Sequence, residues 1–161
     1  MLHLIPPPLH RAAYRAAHRL RLLWWQVRRP RIRGVRILAF DSQDRVLLVR
    51  HSYGSGNWML PGGGLGRNED PVAGAMRELA EEVGCKFEGA RLVEVLEEPL
   101  SGANNHVHLV TGRTSGKALG DRREVIAAQF FAPGDWPADL SHSHKGELDA
   151  WVRTAAAALR G

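Results

Sequence analysis

The chain has 161 residues, of which 44% are hydrophobic and 24% are charged, and these values are typical of a single globular domain. Its one cysteine excludes an internal disulfide and favours a reducing compartment, and the lack of any run of about 18 apolar residues argues against a membrane span, so we expect a cytoplasmic protein. The net charge of +5 comes from the N-terminal quarter, because residues 1–40 hold nine arginines and no acidic residue.

The first predicted element is a basic amphipathic helix from Leu9 to Val27. Apolar residues recur there every three or four positions, with arginines between them and Trp24 and Trp25 near the end. Such a helix can pack on its own domain or across a homodimer, lie on an anionic membrane surface, or bind nucleic acid. The sequence favours packing or dimerisation and disfavours nucleic acid, because the basic run lacks an organised set of exposed aromatic residues.

A β-hairpin is predicted next. Two β-rich runs, Val35–Phe40 and Arg45–Arg50, flank a turn of the sequence Asp-Ser-Gln-Asp. Arg50 and His51 then leave the second strand, either as phosphate-binding residues or as an exposed strand end, and residues 53–57 form a flexible loop. Trp58 precedes a Pro-Gly turn, where packing is favoured over stacking on a base.

The next element is a helix from Pro71 to Val83. Asp70 can cap its N-terminus, proline suits its first position, and Gly84 can end it in a left-handed conformation. The spacing of its apolar residues predicts one buried stripe, which consists of Val72, Met76, Leu79 and Val83.

Three carboxylates crowd another part of the same helix. Glu78 and Glu82 are one turn apart, Glu81 lies beside them, and Arg77 is the nearest charge that offsets them. This patch is either a solvated helix face or a site for a hard divalent cation such as Mg²⁺, which prefers oxygen ligands. At a metal site, Glu82→Gln should remove activity and, as an exposed substitution, cost less than about 0.5 kcal/mol of stability.

The spacing of these residues resembles the signature of the Nudix hydrolase superfamily. From Gly63 the chain reads Gly, five residues, Glu69, seven residues, and then Arg-Glu-Leu-Ala-Glu-Glu-Val-Gly. Cys85 stands where the family usually has an aliphatic residue, and it should pack as a small apolar side chain. The resemblance implies metal-dependent hydrolysis of a diphosphate bond in a nucleoside diphosphate linked to another group. The alternative is a nucleotide sensor that binds without hydrolysis.

The resemblance also implies roles for individual residues. It implies that three carboxylates and one carbonyl hold Mg²⁺ or Mn²⁺, namely those of Glu78, Glu81, Glu82 and Gly62. One of the glutamates, Glu81 in our assignment, would also act in catalysis.

The same resemblance extends beyond the metal ligands. Arg77 would orient a carboxylate, Glu69 would brace the loop, and Glu124 would be a further acidic residue near the metal. The expected contacts to a nucleotide-type substrate are made by Arg50, His51, Trp58, Gly63 and Gly64.

The remainder of the chain completes the expected fold. Strands are predicted at Ala90–Glu97, His106–Thr111 and Glu124–Phe131, with a loop from Glu98 to Asn105, and a last helix runs from Lys145 to Leu159. We therefore expect an α/β fold, a Nudix α/β/α sandwich with a mixed sheet over residues 34–161, preceded by a basic helical extension over residues 1–33.

Overall fold

A mixed seven-stranded sheet organises the chain in the computed structural model, which describes residues 17, 31–100, 103–115, 118–120 and 124–161. The strands are β1 Arg31–Phe40, β2 Val46–His51, β3 Trp58–Met59, β4 Gly62–Gly64, β5 Lys86–Leu100, β6 Ala103–Ser115 and β7 Val125–Phe131. The helices are α1 Pro71–Val83 and α2 Leu148–Arg160. The helix expected over residues 9–27 lies outside the described residues apart from residue 17.

The order of the strands brings the glycine segment β4 to the middle of the sheet. The main path is β3-β2-β1-β6-β5, with β7 paired to β2 and β4 paired to β1. β1 runs parallel to β6 and antiparallel to β4, so that Val35 is opposite Gly63. The predicted hairpin between β1 and β2 is confirmed by the antiparallel pair of Phe40 and Val46.

Each face of the sheet carries its own hydrophobic core. Alternate β1 residues such as Ile37 pack with Leu79 and Val83 of α1, whereas Leu38 packs on the other face with residues of α2. Full burial of one such side chain contributes about 1.5–3 kcal/mol. Cys85 lies in the α1 core with 3% of its surface exposed, as predicted for a small apolar residue. The expected arrangement of a mixed sheet between helices is therefore confirmed.

The boundaries of α1 agree with the sequence prediction. Asp70 accepts hydrogen bonds from the N–H groups of Val72 and Ala73 at 3.0 Å, and Gly84 ends the helix with φ of 69°. One member of the predicted stripe is wrong, because Met76 is 47% exposed and Ala75 is buried instead. A helix turns 100° per residue, so the buried arc centres on Ala75 and Leu79 and leaves position 76 at its edge.

Two further predictions of element boundaries are wrong. The loop expected from Glu98 to Asn105 is wrong, because Glu98 and Asn105 are paired and the β5–β6 ladder continues to Leu100 and Ala103. The proline in β5 is tolerated there because this strand lies at the edge of the sheet. The last helix begins at Leu148 instead of Lys145, after a series of turns. In the described part of the chain, no helix combines the length and apolarity that a bilayer crossing requires.

Candidate active site

Glycines at positions 62 and 63 allow the backbone to lie directly against β1 and α1. Gly62 has φ of 149°, and a Cβ atom there would lie 2.1 Å from the carbonyl oxygen of Val35. A Cβ atom on Gly63 would lie 2.6 Å from the carboxylate atoms of Glu78. A side chain at position 62 would therefore collide with backbone, and one at position 63 would displace the Glu78 carboxylate. The two glycines place this segment beside the acidic residues of α1.

Glu82 is buried, in contrast to the solvated helix face considered from the sequence. Only 4% of its surface is exposed, and its Oε1 lies 2.9 Å from Nε2 of His51. Its Oε2 accepts a hydrogen bond from the N–H of Gly62 at 3.2 Å. Burial raises the pKa of the Glu82 carboxyl, whereas the contact with His51 acts in the opposite direction. The expected cost of Glu82→Gln, under about 0.5 kcal/mol, assumed an exposed side chain, and that assumption is wrong.

Arg77 connects three glutamates and the glycine segment. Its guanidinium donates to both oxygens of Glu69, at 2.8 and 3.0 Å, and to Oε1 of Glu78 at 2.8 Å. It also donates to Oε2 of Glu81 at 3.2 Å and to the carbonyl of Gly64 at 3.2 Å. This fork geometry requires arginine, because lysine presents a single ammonium group.

Glu69 joins the loop before α1 to this arginine. Its Oε2 accepts a hydrogen bond from the N–H of Gly66 at 2.8 Å. The hydrogen bonds from Arg77, together with the one from Gly66, lower the pKa of Glu69 from 4.5 to about 2. Glu78 differs from it, because burial raises its pKa although Arg77 opposes the shift.

We expect Arg77→Lys to break the hydrogen bonds that Glu69 accepts from Arg77 and to loosen the loop before α1. In an NMR titration the pKa of Glu69 should move from about 2 toward 4.5, and exchange of the Gly66 amide should accelerate at least about tenfold. Because the pKa of the Glu69 carboxyl is lower in the folded than in the unfolded protein, this group stabilises the fold at pH values above its unfolded pKa, and the stabilisation is lost as the pH falls from 4.5 toward 2. Between these pH values, Arg77→Lys should therefore lose less unfolding free energy than the wild type. Arg153→Lys on the exposed surface of α2 is the control. An unchanged Glu69 titration would contradict the assignment.

Tyr53, which the sequence analysis placed in a flexible loop, contacts two of the predicted site residues, His51 and Glu124. Its hydroxyl donates to Oε1 of Glu124 at 2.8 Å, and its ring stacks on His51 with centroids 5.0 Å apart and planes inclined by 13°. Burial, followed by the nearby charge of Glu124, raises the pKa of this hydroxyl, which therefore stays protonated. A tyrosine within a glycine-containing loop carries no sequence signal for such a contact, because its partner is 71 positions away.

A cavity of about 340 Å³ adjoins the glycine segment. Its lining includes His51, Gly62 and Gly63. It also includes Arg36 and Glu98, which form a bidentate ion pair with nitrogen–oxygen distances of 2.6 and 2.9 Å. Further residues of its lining are Asn105, Ser143 and His144. The sequence analysis did not select these residues, because they come from strands and turns distant from the Nudix signature.

Two polar groups in the lining of this cavity are buried, the side-chain oxygen of Asn105 and the ring of His144. Oδ1 of Asn105 is shielded from solvent and has no hydrogen-bond partner among the described residues. His144 is 2% exposed, and its Nε2 accepts a hydrogen bond from the N–H of Leu60 at 3.2 Å. Burial lowers the pKa of His144 to about 3, so this ring is neutral at pH 7.

The residues expected to contact substrate fall into two groups. His51 and Gly63 lie at the cavity, whereas Arg50, Trp58 and Gly64 are not part of its lining. Arg50 forms an ion pair with Asp139 and lies 4.9 Å from the centre of the Trp58 ring. The Trp58 ring also meets Phe131 edge-on at 5.2 Å, which is the packing contact favoured from the sequence. Substrate binding by Arg50 and Trp58 stays a prediction.

The donor set at the glycine segment suits a hard divalent cation. Across the described residues, no three histidine, cysteine or carboxylate side chains converge closely enough to form a complete metal cage. Mg²⁺ does not require one, because it retains several waters and commonly binds through one or two carboxylates. Glu82 offers oxygen ligands next to Gly62 and Glu78 does so next to Gly63, and the side chain of Glu81 is 62% exposed. These residues therefore fit such a cation.

Solved structures with the same fold include two hydrolases. A MutT NUDIX hydrolase from Burkholderia pseudomallei superposes with a TM-score of 0.65 at 23% identity, covering 77% of this chain and 97% of that chain. An ADP-ribose pyrophosphatase from Streptococcus suis superposes with a TM-score of 0.59 at 24% identity, covering 81% and 92%. At these identities the similarity establishes the fold.

Sequence relatives cover a shorter part of the chain. Over 71 residues it is 35% identical to diphosphoinositol polyphosphate phosphohydrolase 2 of Mus musculus, which covers 44% of this chain and 40% of that protein. Over 58 residues it is 41% identical to diphosphoinositol polyphosphate phosphohydrolase 3-alpha of Homo sapiens, covering 36% and 35%. The chain thus matches about two-fifths of the length of these relatives.

A family model, that of the NUDIX domain, matches residues 30–152. This match spans most of the chain and includes the glycine segment, α1 and the cavity lining described above. The chain belongs to the NUDIX domain family.

Proposed function

We propose that this protein hydrolyses a diphosphate bond in a nucleoside diphosphate linked to another group. The observation that carries this proposal is the arrangement of Glu78 and Glu82 against the glycine segment Gly62–Gly64 in a chain of the NUDIX domain family. Relatives are named as phosphohydrolases, and structural neighbours include an ADP-ribose pyrophosphatase, which supports phosphate anhydride chemistry.

Glu78, Glu81 and Glu82, with the carbonyl of Gly62, would hold Mg²⁺ or Mn²⁺. When bound, the cation supplies charge neutralisation for the diphosphate and a water of lowered pKa. Arg77 would hold Glu78 in place, as its 2.8 Å hydrogen bond does in the structure. The exposed Glu81 carboxylate would accept a proton from the attacking water, and the absence of side chains at Gly63 and Gly64 would leave space for the phosphates.

The cavity supports a nucleoside as the group next to the diphosphate. Asn105 belongs to the lining of the cavity, and its side-chain amide suits a substrate with hydrogen-bonding groups, such as the exocyclic amine and ring nitrogens of a base. Arg36 is the one arginine or lysine in the described lining, and Glu98 already neutralises it. An inositol ring bearing several phosphates would find little positive charge among the described lining residues, so we favour a nucleotide over the substrate class in the relatives' names.

A substrate panel, with the products separated by chromatography and identified by mass spectrometry, tests this proposal. It should contain nucleotide sugars, dinucleoside polyphosphates, nucleoside triphosphates, coenzyme A, capped RNA and a diphosphoinositol polyphosphate. We expect metal-dependent release of two phosphate-ended products from a nucleoside diphosphate derivative, and Asn105→Leu should raise its KM about tenfold with little change in kcat. Tight binding of a nucleotide without turnover would instead favour the alternative, a nucleotide sensor. Turnover confined to the inositol compound would contradict the nucleoside assignment.

Activity should be absent in excess chelator and should rise from acid toward alkaline pH. Burial raises the pKa of the Glu78 and Glu82 carboxyls, so protons compete with the cation at low pH and metal binding strengthens as the pH rises. Initial rates at fixed free Mg²⁺ across the pH range, with circular dichroism to confirm folding at each pH, measure this dependence. Added Mg²⁺ should restore the chelated enzyme, and turnover in metal-free buffer would refute the metal assignment.

A further inference from the structure

The edge strand β5 carries two large apolar side chains that stay partly exposed. Leu92 and Val95 each keep 46% of their surface accessible to solvent. Leu92 is opposite Val110 in the β5–β6 ladder, and Val95 is opposite His108. Val110 belongs to the core that the sheet shares with α1, as does Val35, the β1 partner of His108. Because opposite residues point to the same face of a sheet, Leu92 and Val95 both lie on the α1 face.

Exposed carboxylates accompany this apolar pair along the strand. Glu94 precedes Val95, and Glu97, whose side chain is 81% exposed, follows it by two positions. We call Leu92, Glu94, Val95 and Glu97 the β5 patch. None of these four residues lines the cavity beside the glycine segment, so the patch is separate from the candidate active site. An apolar and acidic surface of this kind suits a partner that is apolar and basic.

The N-terminal arm, residues 1–30, has the complementary composition. It contains six arginines and no acidic residue, and four of the arginines lie between Leu9 and Val27, where the sequence predicts an amphipathic helix. Ala17, the one residue of the arm that the structure describes, is helical. We propose that this helix docks on the β5 patch of its own chain, with its apolar stripe on the two apolar side chains and its arginines near the two carboxylates. The inference does not depend on the proposed function.

The point where the arm joins the sheet places the β5 patch within its reach. β1 begins at Arg31, the ladder partner of Asn104, and Asn104 is opposite Pro99 of β5. Two strand spacings of about 4.8 Å separate Arg31 from β5, and Val95 lies about 13 Å along that strand from Pro99. A helix from Leu9 to Val27 is about 28 Å long, and residues 28–30 span up to about 10 Å. The arm can therefore cover the patch without any rearrangement of β1.

Attachment to the domain favours the arm of the same chain over other occupants. A segment on a short linker is present at an effective concentration in the mM range, whereas a second copy contributes only its concentration in solution. An anionic membrane as the partner of the arm would leave the β5 patch uncovered and would bring its carboxylates toward negative charge, which is unfavourable.

Cross-linking within the full-length protein tests this docking. Val95→Cys is combined with a cysteine on the predicted apolar stripe, at Ala13, Ala16 or Leu20, and a short bismaleimide joins thiols that lie close together. The control combines Val95→Cys with His18→Cys, which lies on the opposite side of the helix at about 100° per residue.

We expect at least one stripe position to cross-link within a single molecule at least about fivefold faster than His18→Cys, because docking turns the stripe toward β5. The native Cys85 is 3% exposed and should stay unmodified. Mass spectrometry after digestion identifies the joined peptides, and a denaturing gel separates monomers from dimers. Rates no faster than that of the control at all three positions would overturn the proposal. Cross-links between two molecules only would also overturn it and would assign the patch to a second copy.

The contribution of charge is tested by Glu97→Lys. Hydrogen exchange of residues 9–27, measured by mass spectrometry, should be at least about threefold faster in this variant than in the wild type, because the reversed charge repels the arginines. Asp135→Lys, the same charge change in an exposed loop after β7, is the control and should leave the exchange unchanged. Exchange in the wild type at the rate of an unstructured peptide, or equal acceleration by the two variants, would contradict docking.

Sedimentation with vesicles distinguishes docking from membrane binding. Full-length wild-type protein is mixed at low salt with vesicles of phosphatidylcholine and phosphatidylserine. A docked stripe is not available to lipid, so we expect the protein to stay in the supernatant. Sedimentation at low but not at high salt, together with no cross-link within the molecule, would overturn the proposal in favour of an anionic membrane surface.

Discussion

Glu82→Gln should remove at least about 99% of kcat under saturating Mg²⁺ while leaving the protein folded, because loss of a charged metal ligand typically costs two or more orders of magnitude. Glutamine has nearly the same shape and can still accept the hydrogen bond from the N–H of Gly62. It also relieves the desolvation of a buried charge, so the free energy of unfolding should change by less than about 2 kcal/mol.

The measurements for Glu82→Gln are kcat with excess Mg²⁺, Mn²⁺ binding and a denaturant unfolding curve. Glu94→Gln is the matched control, because Glu94 lies exposed on β5 and the same charge is removed. The control should retain full activity and Mn²⁺ affinity. If Glu82→Gln keeps a tenth or more of the wild-type kcat, the assignment of Glu82 to the metal site is wrong.

Gly62→Ala should damage both stability and activity. The new Cβ would lie 2.1 Å from the carbonyl oxygen of Val35, and φ of 149° is a conformation that side chains rarely adopt. The strand must therefore move away from β1, which we expect to cost about 3 kcal/mol or more of unfolding free energy. This shift also displaces the N–H of Gly62, which donates a hydrogen bond to Glu82, so activity should fall even at temperatures where the variant is folded.

Gly64→Ala is the control for Gly62→Ala, because it lies two residues away in the same strand and a Cβ there would meet nothing within 4 Å. We expect this control to change the free energy of unfolding by less than about 1 kcal/mol. Equal destabilisation by the two variants, measured by denaturant unfolding, would show that the close approach at Gly62 is not what requires glycine.

Local features of this chain could be predicted from the sequence alone. The bounds of α1, its Asp70 cap and its Gly84 end depend on backbone groups within four residues of each other, so neighbouring residues carry the information. The spacing of the residues from Gly63 to Glu82 identified the family, because the whole signature lies within one continuous stretch of the sequence. The packing of Cys85 followed from its size and polarity.

Only the tertiary structure decided how the candidate site is assembled. The pairing of β2 with β7 joins Tyr53 to Glu124, and the packing of α1 on the sheet buries Glu82 against His51, 31 positions away. The same holds for Asn105, whose place at the cavity depends on the register of β6 between β1 and β5. Strand register is set by the summed burial of whole faces, and no short run of residues encodes it. The sequence by itself therefore determined the family and the acidic helix, and the register of the strands determined which carboxylates are buried, paired and positioned.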